Sequence, residues 1–254
     1  MAARHRSSVA AVILQSWFEV PVPGETAPMS AYVARPATPG TYPNVLVGAE
    51  IFGLTDYLRA VTDRIARLGY TAIAPDFYHR AGHRLALPAT AVGRESGLEL
   101  LGQLDRDGVR RDLAALLDHL PGRTAMVGFS SGGHLAYYAA TQFPLAAVAV
   151  FYPGWLTDTT IALSRPEPTL ALTSSIANRV LFLVGERDHL VTADQRDQIA
   201  ARLREDGIDH ELVVYPDAPH GFFCDERDTY RPEAAEDAFA RVTALLADEL
   251  PRVG

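Results

Sequence analysis

The sequence has little of several features that would define a class of protein. Cys224 is the only cysteine among 254 residues, which excludes an internal disulfide and a cysteine-based zinc site. No apolar stretch approaches the roughly 20 residues that a membrane-spanning helix needs. The formal charge is −8 and the arginines are scattered, so attraction to a nucleic-acid backbone is not expected. We therefore expect a soluble, cytoplasmic protein that binds neither membranes nor nucleic acids.

The chain also has no linker, low-complexity run or internal repeat that would divide it. An apolar share of 48% is ample for a large core, so we predict a single α/β domain over residues 1–254. Near the N-terminus, two arginines precede a short apolar run within Met1–Leu14. That run is too short for a secretory leader, and we expect residues 9–20 to be folded structure.

Short apolar segments alternate with segments of helical periodicity along most of the chain. Val12–Val20 and Met29–Arg35 flank a Pro-Val-Pro-Gly break and predict an antiparallel hairpin at a sheet edge. Asn44–Glu50 is a continuous apolar run, typical of a parallel strand covered on both faces. Further strands are predicted at 70–74, 124–127, 146–151, 179–184 and 211–215, and helices at 55–67, 109–120, 132–143, 192–205 and 234–250. This order predicts an α/β fold, a mostly parallel sheet with helices on both faces.

Two other stretches are expected to cover a site beyond the carboxyl ends of the strands. Residues 76–108 are predicted to be long and irregular, as segments over functional sites often are. Tyr152, Trp155 and the Thr/Pro-rich segment Pro153–Ser175 are expected to form part of a cap. Their aromatic and apolar side chains favour a partly hydrophobic substrate.

The most informative segment is Gly-Phe-Ser-Ser-Gly at 128–132, which lies between a buried strand and a helix. This is the pattern of a nucleophile elbow, whose strained turn presents a serine hydroxyl at the edge of a sheet. Ser130 is the candidate nucleophile. The competing interpretation is a glycine-rich turn that only makes room for packing.

A serine hydroxyl needs a base within hydrogen-bond reach, and that base needs a third group to orient it. Asp188 and His220 each follow a predicted strand, so both are placed at the reactive edge, and the order Ser130, Asp188, His220 is that of hydrolases of this architecture. Asp188 could instead cap a helix, and His220 could be an ordinary loop histidine.

The remaining histidines are interpreted as structural. His79 and His83 have the spacing of a metal pair, but Gly82 argues against a helix there and no third ligand is evident. We therefore predict no metal site. His134 is expected on a helix face, and His189 follows Asp188 directly in the sequence.

Five segments, in this order along the chain, resemble the dienelactone hydrolase family of α/β-hydrolases. They are Ala-Glu-Ile-Phe-Gly-Leu at 49–54, Ala-Pro-Asp-Phe-Tyr-His-Arg at 74–80, Gly-Phe-Ser-Ser-Gly-Gly at 128–133, Gly-Glu-Arg-Asp at 185–188 and His-Gly-Phe-Phe at 220–223. Tyr-Arg-Pro-Glu-Ala-Ala at 230–235 is similar to the closing segment of the family, so the resemblance covers nearly the whole chain.

The resemblance implies further roles. Glu50 would lie close to the nucleophile, and the backbone amides of Ile51 and Ser131 would form an oxyanion hole. Arg80 resembles the family arginine that pairs with a substrate carboxylate.

The chain departs from the family pattern at two positions. Members usually carry cysteine where this chain has Ser130, so the serine is expected to depend on His220 as its base, and the role of Glu50 is left open. Cys224 stands where dienelactone-cleaving members carry a second arginine, for which Arg227 and Arg231 are candidate replacements.

From these observations we predict a hydrolase that cleaves a small-molecule carboxylic ester or lactone through a serine acyl-enzyme, without metal or organic cofactor. It would act as a monomer or small homo-oligomer. The alternatives are a ligand-binding or biosynthetic protein of cyclase or lyase type on the same scaffold, or an interaction protein that retains only the fold.

Overall fold

The structure, a computed structural model, describes residues 11–252. The expected folding of residues 9 and 10 lies outside the described residues. The strands are Ile13–Val20 (β1), Met29–Pro36 (β2), Asn44–Gly48 (β3), Thr71–Pro75 (β4), Thr124–Phe129 (β5), Ala147–Phe151 (β6), Arg179–Arg187 (β7) and His210–Pro219 (β8). The α-helices are Asp56–Arg67 (α1), Ala91–Leu101 (α2), Arg106–Asp118 (α3), Ser131–Gln142 (α4), Ala193–Glu205 (α5) and Pro232–Glu249 (α6). Two 3-10 helices cover Ala162–Ser164 and Thr169–Ser175.

Within residues 11–252 these strands form one eight-stranded sheet in the order β1-β2-β4-β3-β5-β6-β7-β8. β2 pairs antiparallel with both β1 and β4, and every other neighbouring pair is parallel. The predicted edge hairpin and mostly parallel sheet are confirmed. Because β3 to β8 run in one direction, their carboxyl ends meet at one edge, where side chains from distant parts of the sequence converge.

In the central strands β3, β5 and β6 both faces of the sheet are buried, and successive residues of a strand point to opposite sides. In β5, Met126 packs into the core on one face, while Val127 and Phe129 pack into the core on the other. Helices α3, α4 and α5 cover the first face, and α1 and α6 cover the second.

None of the helices in the described range is long and apolar enough to cross a bilayer.

The helix starts follow from capping residues that the sequence identifies. The Thr55 side chain accepts a hydrogen bond from the Leu58 amide at the start of α1. Thr192 begins α5 with a capping box completed by Gln195. Thr192 therefore takes the capping position for which Asp188 was the competing candidate.

The expectation of an irregular segment over residues 76–108 is wrong, since this stretch holds α2 and the first residues of α3. The buried face of α2 consists of Gly93, Gly97 and Leu101. Two of these three residues are glycines, so the sequence shows no apolar stripe with helical spacing in this segment, and the helix was not predicted.

The segment Pro153–Ser175 is also less of a cap than expected. Its 3-10 helix at 169–175 packs on α4 and α5, and His134 of α4 bonds to it through Thr169, with 2.7 Å between Nε2 and Oγ1. This part of the segment is thereby held against α4 and α5.

Candidate active site

Ser130 occupies a strained turn between β5 and α4, with φ of 53° and ψ of −116°. Such a conformation costs a non-glycine residue about 1–3 kcal/mol. The neighbouring glycines permit it by allowing backbones to touch. A Cβ on Gly128 would lie 1.9 Å from the Gly132 carbonyl oxygen, and one on Gly132 would lie 2.2 Å from the carbonyl carbon of Gly48. The turn therefore has the geometry of a nucleophile elbow.

The structure brings Ser130, His220 and Asp188 together. Ser130 Oγ lies 2.9 Å from Nε2 of His220, and His220 Nδ1 lies 3.0 Å from Oδ2 and 3.2 Å from Oδ1 of Asp188. All three groups follow the carboxyl ends of their strands, β5, β7 and β8. The chain of hydrogen bonds can carry a proton from the hydroxyl to the imidazole while the carboxylate holds the ring.

Asp188 is fixed by its own loop. Its side chain is buried, and Oδ1 accepts hydrogen bonds from the amides of Leu190 at 2.8 Å and Val191 at 3.1 Å. Two backbone donors and the imidazole thus satisfy a carboxylate that would otherwise be costly to bury.

The turn that follows β3 lies against the elbow. Ser131 Oγ donates to the Ala49 carbonyl oxygen over 3.2 Å, and the contact between Gly48 and Gly132 brings the two backbones together. Ser131 is the first residue of α4, so its amide has no partner within the helix. Ile51, two residues beyond Ala49, shares a pocket wall with Ser130.

Glu50 is buried, lines the same pocket as Ser130 and pairs with Arg227. The Arg227 guanidinium also lies over the Phe52 ring, 4.7 Å from its centroid. Burial lowers the pKa of Arg227 from its usual value, and the adjacent carboxylate of Glu50 offsets the cost of burying the guanidinium charge.

Tyr152 contacts two residues of the site, Glu50 and His220. Its hydroxyl lies 3.4 Å from Oε1 of Glu50, and its ring stands edge-on to the imidazole of His220, with 5.0 Å between centroids. Full burial raises the pKa of Tyr152 well above its usual value, so the phenol remains a neutral donor. Tyr152 contacts His220 and Glu50 without lining the pocket, whereas Trp155 lines it.

A cavity of about 370 Å³ opens above Ser130. Its walls come from the turn after β3, from α2 and the residues before it, from the loop after β7, and from the segment after His220. The lining residues include Glu50, Ile51, Phe52, Thr90, Arg94, Leu98, Ser130, Trp155, His189, Leu190, His220 and Arg227.

Helix α2 and His189 also line the pocket, which the sequence did not predict. Arg94 and Leu98 form one wall, and His189 lies edge-on to His220 at 5.6 Å between centroids. The pKa of His189 is lowered by burial and then by the neighbouring His220. The start of α2 could have been recognised from Thr90, an N-cap residue whose side-chain oxygen accepts a hydrogen bond from the Gly93 amide.

Arg80 does not lie in this pocket. Its guanidinium makes two 2.7 Å hydrogen bonds to the fully buried Asp112 and a third, of 2.8 Å, to Glu25. The expectation that Arg80 pairs with a substrate carboxylate does not agree with this placement. A bidentate partner of opposite charge, 32 residues away in sequence, holds the side chain against α3 instead.

Cys224 and Arg231 are also outside the pocket. Cys224 is only 2% exposed, and burial raises the pKa of its thiol to about 11. Arg231 donates to the carbonyl oxygens of Asp228 and Tyr230. Of the two candidate replacements for the second arginine, Arg227 is therefore the one that reaches the site.

Within the described residues, no group of three or more metal-ligating side chains comes together. His79 faces Asp112, with 3.2 Å between Nε2 and Oδ1, and His83 Nδ1 lies 3.4 Å from the hydroxyl of Ser30. The two histidines of the candidate metal pair thus have separate partners.

The strand order, the elbow after β5 and the helices on both faces define an α/β-hydrolase fold. The profile of the dienelactone hydrolase family matches residues 29–250, and the chain belongs to this family of hydrolases. A protein of Synechocystis sp. named "Putative carboxymethylenebutenolidase" is 33% identical over 242 residues, covering 91% of this chain and 96% of that protein.

Two further relatives agree with this assignment. The crystal structure of "Putative Dienelactone Hydrolase" from Klebsiella pneumoniae is similar with a TM-score of 0.83 and 30% identity, covering 93% of this chain and 99% of that one. A Bradyrhizobium protein named "Probable 2-oxo-3-(5-oxofuran-2-ylidene)propanoate lactonase" is 27% identical, covering 92% of this chain and 94% of that protein. The resemblance seen in the sequence motifs is confirmed.

Proposed function

We propose that the protein hydrolyses a carboxylic ester or lactone through an acyl-enzyme on Ser130. The observation that carries the proposal is the 2.9 Å contact between Ser130 Oγ and His220 Nε2, continued by the contact of His220 Nδ1 with Asp188. A binding protein has no need of a proton-transfer chain that ends on an alcohol.

The proposed reaction has two halves. As Oγ bonds to the substrate carbonyl carbon, its proton moves to Nε2 of His220, and the amides of Ile51 and Ser131 stabilise the oxyanion. His220 then gives the proton to the leaving oxygen as the carbon–oxygen bond breaks. A water molecule, deprotonated by His220, attacks the acyl-enzyme, and the proton returns to Oγ as the acid is released.

A lactone fits the same scheme, with the leaving hydroxyl kept on the acyl group. The lactonase and carboxymethylenebutenolidase names of the relatives support this substrate class. Arg94 and Arg227 line the pocket, so we propose that they take the carboxylate-binding role expected of Arg80. Glu50 would then hold Arg227 at the pocket wall rather than activate the nucleophile.

Labelling with a fluorophosphonate probe, together with turnover of a panel of small esters and lactones, tests the proposal. Wild type and the control Ser175→Ala, which changes an exposed serine, should be labelled and active. Ser130→Ala should lose both the label and at least about 1,000-fold in kcat. Equal labelling of Ser130→Ala would disprove the assignment. Tight binding of a ligand without turnover of any ester would favour the cyclase or lyase alternative.

A further inference from the structure

Helix α2 lies against the carbonyl group of Ile51, the residue whose amide the proposed function places at the oxyanion hole. Gly97, in the middle of α2, packs directly on Ile51: a Cβ at position 97 would lie 2.5 Å from the Ile51 carbonyl oxygen and 3.1 Å from its carbonyl carbon. Contacts below 3.0 Å are too short for a real Cβ, so only glycine lets the two backbones approach this closely.

Other contacts hold the Ile51 turn from the remaining sides. The Tyr78 hydroxyl donates to the Ile51 carbonyl oxygen over 3.3 Å, and the Leu87 amide donates to the Phe52 carbonyl oxygen over 2.8 Å. On the side of the elbow, Ser131 Oγ bonds to Ala49. The turn is thus enclosed between α4 and α2, and Gly97 sets its distance from α2.

The cost of this glycine indicates that the contact matters. Glycine inside a helix is less favourable than alanine, because the free chain loses more conformational freedom. Without a close neighbour, alanine at position 97 would strengthen α2. The same helix presents Arg94 and Leu98 to the pocket, so α2 both forms a wall and touches the backbone beside the nucleophile.

We infer that Gly97 is a positioning residue for the oxyanion hole, which keeps the Ile51 amide aimed at the substrate carbonyl oxygen. The inference rests on the proposed function and deepens it. An oxyanion-hole donor acts mainly in the transition state, so a displaced Ile51 amide should lower kcat and leave substrate binding largely intact.

Gly97→Ala tests the inference, with Gly93→Ala as its matched control. Both substitutions add one methyl group to α2 against a backbone carbonyl, but the group at 93 meets Pro88 at 1.9 Å instead of Ile51. With active sites counted by fluorophosphonate titration, Gly97→Ala should lower kcat about 10- to 100-fold with KM within about threefold. Gly93→Ala, whose methyl group displaces the start of α2 and the pocket wall next to it, should lower the melting temperature and change KM more than kcat.

A boronic acid that forms a tetrahedral adduct with Ser130 supplies a second measurement. Its inhibition constant should rise with Gly97→Ala by about the factor that kcat/KM falls, a change that partial unfolding would not produce once active sites are counted. Equal effects of the two glycine variants, or unchanged kcat and boronate affinity in Gly97→Ala, would overturn the inference.

If Gly97→Ala does not fold, Tyr78→Phe removes the hydrogen bond to the Ile51 carbonyl without adding volume. It should lower kcat and boronate affinity by about threefold to tenfold, and no change in either would overturn the inference. Failure of the proposed function is recognised separately, since Ser130→Ala would then keep the turnover of wild type.

Discussion

Asp188 presents both carboxylate oxygens to Nδ1 of His220, at 3.0 and 3.2 Å, while one of them also accepts two backbone amides of the following loop. The loop therefore fixes the carboxylate, and the carboxylate fixes the ring. This arrangement requires Nδ1 to carry the proton and leaves Nε2 free to accept one from Ser130.

Asp188→Asn should separate orientation from folding. The amide oxygen of asparagine can still accept from Leu190 and Val191, but its NH₂ group would face Nδ1 and favour the wrong tautomer of His220. We expect kcat for a small ester to fall by roughly 10⁴-fold with the urea midpoint nearly unchanged. Asp194→Asn, an exposed change in the first turn of α5, is the control. An Asp188→Asn enzyme within tenfold of wild type would contradict this role.

Arg94→Gln should change selectivity for charge. The chain has no lysine, so the cationic side chains of the pocket, Arg94 and Arg227, are both arginines. For an ester bearing a distal carboxylate, loss of Arg94 should raise KM about tenfold, which corresponds to about 1.4 kcal/mol. The neutral amide analogue should be unaffected.

Added salt checks the same prediction, because screening weakens a partly exposed ion pair. The preference of wild type for the anionic ester should shrink as salt rises, and that of Arg94→Gln should change little. Arg110→Gln makes the same change in net charge at an exposed position of α3 and should behave as wild type. Equal KM values of Arg94→Gln and wild type for the anionic ester would refute the role.

Arg80→Gln should affect stability rather than selectivity. It would leave the fully buried Asp112 with His79 as its remaining partner, and an uncompensated buried carboxylate costs several kcal/mol. We expect a loss of about 2–3 kcal/mol in the free energy of unfolding by urea. Adding Asp112→Asn should restore part of this stability, because the buried charge is then removed as well. A large loss of selectivity for anionic esters, without a loss of stability, would instead show that Arg80 binds the substrate carboxylate.

His134 should make the protein sensitive to acid. Burial lowers the pKa of His134 to about 4, whereas the unfolded chain has a value near 6.5. The unfolded state therefore binds the proton first, and stability is lost as the pH falls from about 6.5 to about 4. The expected loss from this group is about 2 kcal/mol between pH 7.5 and 5, measured from urea midpoints. In His134→Gln, less stable at neutral pH, this pH-dependent part should be absent; an equal decline in both proteins would assign the acid sensitivity to other groups.

The sequence predicted the parts of the molecule in which local pattern and function coincide. The buried strand, the glycines and the helix around Ser130 place the elbow, and strand exits place Asp188 and His220. These predictions needed only neighbouring residues and the rule that parallel strands end at one edge.

The parts that were not predicted depend on contacts between distant segments. Helix α2 is seated by Gly93 and Gly97, so its buried face lacks an apolar stripe. Arg80 is captured by Asp112, whose position on α3 gives no sign of the pairing in one dimension. Trp155 was expected in the site together with a whole cap, but only the beginning of that segment reaches the pocket.

The pairing of Arg80 with Asp112 also bears on how related chains are interpreted. An arginine in the Pro-Asp-Phe-Tyr-His-Arg motif can form an ion pair within the protein or bind a substrate carboxylate. The two cases differ in whether an acidic residue stands at the position of Asp112, 32 residues downstream on α3. Where that position carries an acid, the motif arginine is no guide to the charge of the molecule that the enzyme consumes. A neutral residue there would leave the guanidinium available to a ligand.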